Sequence, residues 1–188
     1  YGLDWNWTKR EYQKLLSKSG GKDRITRYAK KKKNIVNSEY LRNLKTKIFN
    51  NYLKKNHLKL RPGVKNLISL CKKENIKIGF ASSTSANNIN GILYCLRNSI
   101  NKRDFKFIGN AKLVKKFKPN PDIYLLALKK LKLKAKDCLA IEDTQESLNS
   151  ARRAKIKCII FPGKFHSSRK FNGAYKKVYR LNKNIILR

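Results

Sequence analysis

The hydrophobic rhythm of the chain changes near residue 59. Before it, apolar residues recur only at helical steps. Tyr12, Leu15 and Leu16 follow Thr8 and Glu11, a capping-box pair that predicts a helix start. Gly20-Gly21 is expected to end that helix, and a second, basic helix is expected to follow Lys22. From Ser38 a third helix is predicted, with Leu41, Leu44, Ile48 and Tyr52 at three- and four-residue steps. After residue 59, short apolar runs alternate with helical stretches. Pro62 is expected to open a helix that places Val64, Leu67, Ile68 and Cys71 on one face. Strands are predicted at 76–82, 105–109, 138–141 and 157–161. Helices are predicted between them, near 86–99, from Pro121 to about Lys132, and up to about Ala154. Strands that alternate with helices imply right-handed crossovers and a mainly parallel sheet covered on both faces. The expected organisation is a small helical unit over residues 1–58 and a Rossmann-like α/β core over residues 59–188.

Composition supports a packed protein: 40% of the 188 residues are hydrophobic, which suffices for a core domain plus a small cap. No apolar run is long enough to span a bilayer, and YGLDWNWTKR lacks the apolar middle of a signal peptide, so no membrane association is expected. Cys71, Cys95, Cys138 and Cys158 stand far apart with no CxxC pair and only two histidines in the chain, which disfavours a zinc site and a disulfide framework. They read as small hydrophobes in a reducing compartment, with the cytoplasm as the expected location and the plastid stroma as the alternative.

Charge changes the picture less than its size suggests. The 47 Lys plus Arg against 11 Asp plus Glu give a formal +36, which at face value points to a polyanion. The positive residues, however, are spread along every segment, and Lys, Asn and Ile share A/T-rich codons. No specific nucleic-acid partner is therefore expected, and the chain is expected to be a monomer.

In an open parallel sheet, ligands bind beyond the carboxyl ends of the strands. Three groups of polar residues fall there. Ser82, Ser83 and Thr84 follow the first strand, where they either cap the next helix or hold an anion. Lys118 precedes a helix start in KFKPNPDIY, with Asn120 as the expected N-cap and Pro121 as the first helical residue. Glu142-Asp143 follow the strand CLAI directly and form either a Mg²⁺ site or a cap for the helix near Gln145.

Taken in order, GLDWNW, SGGKDRI, LRPGV, ASSTSANN, KPNPDIY and IEDTQESLNSARRA resemble the haloacid dehalogenase superfamily, most closely its CbbY-like branch. The resemblance covers nearly the whole chain. It implies a Mg²⁺-dependent phosphatase with an α/β core and a helical cap, acting on a phosphorylated sugar such as xylulose-1,5-bisphosphate. It implies that Ser82 hydrogen-bonds the transferring phosphoryl group, that Lys118 neutralises its charge, and that Asp143, helped by Glu142, binds Mg²⁺. Ser83 is expected to join Ser82 at the substrate. In the cap, Arg24 and then Lys22 are implied to grip the substrate's second phosphate, a task that suits a forked guanidinium.

The family's reaction also needs an aspartate nucleophile and a second aspartate as acid and base, both in a DxDGT-type motif on the central first strand. No such motif occurs in the chain. The expectation is therefore that the central strand is missing, as if on the order of 30 residues, a strand and one cap helix, were absent. Two other readings stay open: a phosphoglucomutase of the same fold, and a non-catalytic polyanion-binding pseudoenzyme.

Overall fold

A computed structural model describes residues 2–16, 20–56 and 58–186. The chain divides into two compact units, residues 1–51 and 52–188.

The first unit is helical. Helix α1 (Lys9–Leu15) begins with the expected capping box between Thr8 and Glu11. Helix α2 (Gly21–Lys31) starts one residue earlier than predicted: Gly20, at φ 92°, occupies the N-cap position, so Gly21 opens α2 instead of closing α1. Ser19 of the SGGKDRI motif lies outside the described residues. Helix α2 buries Ile25, Tyr28 and Ala29. Its Tyr28 meets the edges of Trp5 and Trp7, and Trp7 stacks on Tyr12, so the GLDWNW segment supplies an aromatic core. Trp5 Nε1 donates to Asn34 Oδ1 at 2.8 Å. Helix α3 (Ser38–Lys55) forms as predicted, but Ile48 and Tyr52 are more than half exposed, so its apolar periodicity does not become a fully buried face.

The second unit alternates helix and strand. In chain order come α4 (Val64–Lys73), β1 (Gly79–Ala81), α5 (Ala86–Cys95), β2 (Phe107–Gly109), α6 (Asp122–Leu131), β3 (Leu139–Glu142), α7 (Gln145–Arg153), β4 (Lys157–Ile160) and β5 (Lys176–Lys177). All pairings are parallel, as the alternation predicts. The strands nevertheless form two sheets: β1 pairs with β2, with Gly79 opposite Phe107, and β3 pairs with β4, which pairs with β5. Among the described residues, β1 and β3 each keep one edge without a strand partner.

One apolar cluster reaches both sheets. Phe107 of β2, Ala140 of β3 and Cys158 and Ile160 of β4 pack with Ile123 and Tyr124 of α6 and Leu148 and Ala151 of α7. Leu148 and Ile160 are wholly inaccessible, and such burial stabilises by about 1.5–3 kcal/mol per side chain. Helix α6 lies on β1 and β2, α7 lies on β3 and β4, and the two helices touch. The carboxyl ends of β1 and β3 are thereby held near each other on one rim.

Two helix starts in the second unit differ from expectation. Helix α4 begins at Val64 behind Gly63, which takes φ 84°, so Pro62 lies in the preceding turn. Helix α6 begins at Asp122 with Pro121 as its N-cap, while the Asn120 side chain turns back to donate to Phe117 O. Asn120 therefore shapes the loop behind Lys118 instead of capping the helix.

Candidate active site

The loop after β1 is organised by its hydroxyls. Ser82 Oγ accepts from Thr84 N at 3.2 Å, and Thr84 Oγ1 accepts from Asn88 Nδ2 at 3.0 Å. The cap of α5 is Ser85, whose Oγ accepts from Asn88 N at 3.3 Å. Capping is thus carried out by neither Ser82 nor Ser83. Ser83 Oγ and Asn88 Oδ1 are buried without a hydrogen-bond partner. Unpaired buried polar atoms cost about 1–3 kcal/mol each, so a loop and the first turn of its helix that keep one each suit a polar ligand.

Across the rim, Lys118 Nζ donates to Ala81 O at 3.0 Å, at the end of β1, and to Glu142 Oε1, at the end of β3. One ammonium therefore spans the ends of the two sheets. The side chains of Lys118 and Glu142 are each 11% exposed, so water screens this pair weakly. The same Glu142 oxygen accepts from the Tyr124 hydroxyl, and the Tyr124 ring lies 5.1 Å from Lys118 Nζ. Cys158 sits beneath this group; burial first, then Glu142, pushes its thiol up to about 12, which keeps it protonated and inert.

Asp143, the next residue, is exposed and makes no hydrogen bond or ion pair among the described residues. Thr144 caps α7 by accepting from Ser147 N, so the acidic pair is spared that task. Two carboxylates at one strand end, one of them free and open to water, fit Mg²⁺, which takes few protein oxygens and keeps water or phosphate in its other positions. No group of three or more His, Cys, Asp or Glu side chains in metal-binding proximity occurs among the described residues.

Two neighbours of Asp143 were not singled out by the sequence. Arg61 donates to Phe161 O at 2.7 Å and to Pro162 O at 2.6 Å, and stacks 3.4 Å from the Phe161 ring centroid. Burial lowers its pKa, and the charge of Asp143 opposes that change. His166 is buried, and its Nδ1 has no partner. Desolvation disfavours its charged form, Arg169 adds to this, and Asp143 counters both. Arg61 thus pins the loop that follows β4 beside the acidic pair. The contact spans 100 positions of sequence, and no local pattern announces it.

Lys22 and Arg24 both lie in the first unit. Lys22 bridges to Glu39 at 3.0 Å with both side chains more than half exposed, a pair of small energetic weight. Arg24 Nε donates to Leu15 O at 3.0 Å, tying α2 to the end of α1.

Comparison with known proteins settles the family. The haloacid dehalogenase-like hydrolase family matches residues 1–161. The chain belongs to this family. With the family comes the enzyme class that the motifs implied, a phosphatase-type hydrolase on a haloacid dehalogenase α/β core. Protein CbbY of Cereibacter sphaeroides is 32% identical over 176 residues, covering 92% of this chain and 76% of that protein. A plasmid-borne CbbY of Cupriavidus necator is also 32% identical, over 92% of this chain and 71% of its own length. CbbY from Rhodobacter sphaeroides, solved in complex with phosphate, superposes with a TM-score of 0.85 at 31% identity, covering 94% of this chain and 80% of that one. A mutant of the same protein has been solved with xylulose-(1,5)bisphosphate. A β-phosphoglucomutase from Clostridium difficile, at 23% identity and a TM-score of 0.75, shares the fold.

Proposed function

We propose that this haloacid dehalogenase-like hydrolase binds a phosphorylated sugar at the rim between β1 and β3 and belongs to a Mg²⁺-dependent phosphatase acting on sugar phosphates or bisphosphates. The observation that carries the reading is Lys118, held between Glu142 and Ala81 O, the carbonyl from which the loop with the unpaired Ser83 Oγ sets out. An ammonium and hydroxyls at a helix N-terminus suit the spread charge of a transferring phosphoryl group. In this reading Ser82 and Ser83 orient the phosphate oxygens and Lys118 neutralises them. Asp143, with the free oxygen of Glu142, would hold Mg²⁺, which when bound would draw charge from the same oxygens. Likeness to a CbbY solved with xylulose-(1,5)bisphosphate supports a sugar bisphosphate as substrate class.

The attacking group is not among these residues. The chain has no Asp-x-Asp sequence, and Asp104, the most enclosed alternative, is occupied by Lys72 and Asn101 N. A parallel strand carrying Asp-x-Asp at its carboxyl end, seated between the free edges of β1 and β3, would place a nucleophile opposite Lys118.

The test supplies that strand. Phosphate release from xylulose-1,5-bisphosphate and from single sugar monophosphates is measured with Mg²⁺, for the chain alone and with a peptide made of an apolar strand ending in Asp-x-Asp-Gly. The chain alone should release none, and the mixture should turn over. Turnover by the chain alone, or a mixture that binds the peptide yet stays inactive, would contradict the reading.

A further inference from the structure

Tyr124, the third residue of α6, does more than fill the core. It is buried among Ile123, Ala127 and the strands of the second sheet, a place where a phenylalanine ring would pack equally well. Its hydroxyl points instead to the rim and donates to Glu142 Oε1, the oxygen that also accepts from Lys118. Its ring face lies against the Lys118 ammonium. Lys118 spends two of its three N–H donors on Ala81 O and Glu142, which leaves one.

We propose that Tyr124 is a positioning residue of the phosphate site: by donating to Glu142 it offsets part of that carboxylate's charge, so that Lys118 stays available to an incoming phosphate. The inference rests on the phosphate-site reading given above and deepens it. Glu142 and a phosphate are rivals for one ammonium, and with both side chains 11% exposed the rivalry is weakly screened. A second donor on the same carboxylate oxygen weakens the hold of that rival without removing its charge from the metal side.

The test is a titration of inorganic phosphate and, separately, of Mg²⁺ into four forms: the unsubstituted chain, Tyr124→Phe, Glu142→Gln, and the double variant, each with its melting midpoint. Tyr124→Phe keeps the ring and should weaken phosphate binding about three- to tenfold while leaving Mg²⁺ affinity undiminished. Glu142→Gln removes the rival charge and should tighten phosphate binding, and Tyr124→Phe should add nothing further in that background. A structural role would instead weaken phosphate and Mg²⁺ together, lower the melting midpoint, and persist in the Glu142→Gln background; that outcome overturns the proposal, as does unchanged phosphate affinity in Tyr124→Phe. If the unsubstituted chain takes up no phosphate, the site reading itself fails, and the proposal falls with it.

Discussion

Two aspartates illustrate how this chain spends its few acidic residues. Asp104 accepts from Lys72 Nζ at 2.7 Å and from Asn101 N at 2.9 Å, with a side chain only 6% exposed, whereas Asp143 stands open and unbonded at the rim. The Lys72 bond first, then the Asn101 amide, hold the Asp104 carboxyl below its usual range. A lowered folded pKa means that the stabilisation is complete above the unfolded value of about 3.9 and is lost as the pH falls through the lower folded value. Asp104→Asn should therefore cost about 1 kcal/mol at neutral pH and progressively less as the pH falls through the folded value, read as the difference in urea midpoint between the two forms. A cost that persists undiminished in acid would contradict this account. At the same scale, Ser82, Lys118, Glu142 and Asp143 were legible because each follows an apolar run or precedes a helix start. Tyr124 was not, since an aromatic on a helix reads as core, and only the fold aims its hydroxyl at Glu142. Arg61 was hidden for another reason: its partners Phe161 and Pro162 follow β4, far away in sequence, while His166 lies in that same loop and carries no motif that marks it.

Among the elements, pattern located α4 to α7 and β1 to β4 of the second unit but not their ends, and it missed the two-residue strand β5 (Lys176–Lys177). The apolar run 76–82 yields a strand of only Gly79–Ala81, because pairing ends where β2 ends, although Lys106 N still bonds Ile78 O at 2.8 Å. Helix starts moved where a glycine could take a conformation closed to other residues. Gly63 shows this most sharply: it has φ 84°, and a Cβ there would lie 1.9 Å from Leu181 O, in a segment already joined by the Leu181 N bond to Pro62 O. Gly63→Ala should cost roughly 2–4 kcal/mol, through both the positive φ and the collision with backbone. Gly163→Ala serves as the contrast, because nothing lies within 4 Å of its added methyl, and its urea midpoint should barely move. Equal costs at the two sites would show that the turn before α4 yields more easily than its packing implies.

For the molecule as a whole, the alternating pattern announced a parallel α/β core, but periodicity alone could not tell that the strands form two sheets with one rim. The family resemblance implied only that a central strand is missing, and among the described residues β1 and β3 each have one edge without a strand partner. The +36 charge is spread along the chain, whereas the candidate site depends on one lysine with a fixed address. The central claim is that this rim holds a phosphate. The most direct measurement is a calorimetric titration of inorganic phosphate into the chain and into Lys118→Ala, at two salt concentrations. The account predicts one saturable site that Lys118→Ala weakens about tenfold or more and that moderate salt leaves largely intact. Uptake that is unsaturable, equal in both forms and abolished by salt would mean that the chain attracts anions only through its overall charge, and would contradict it.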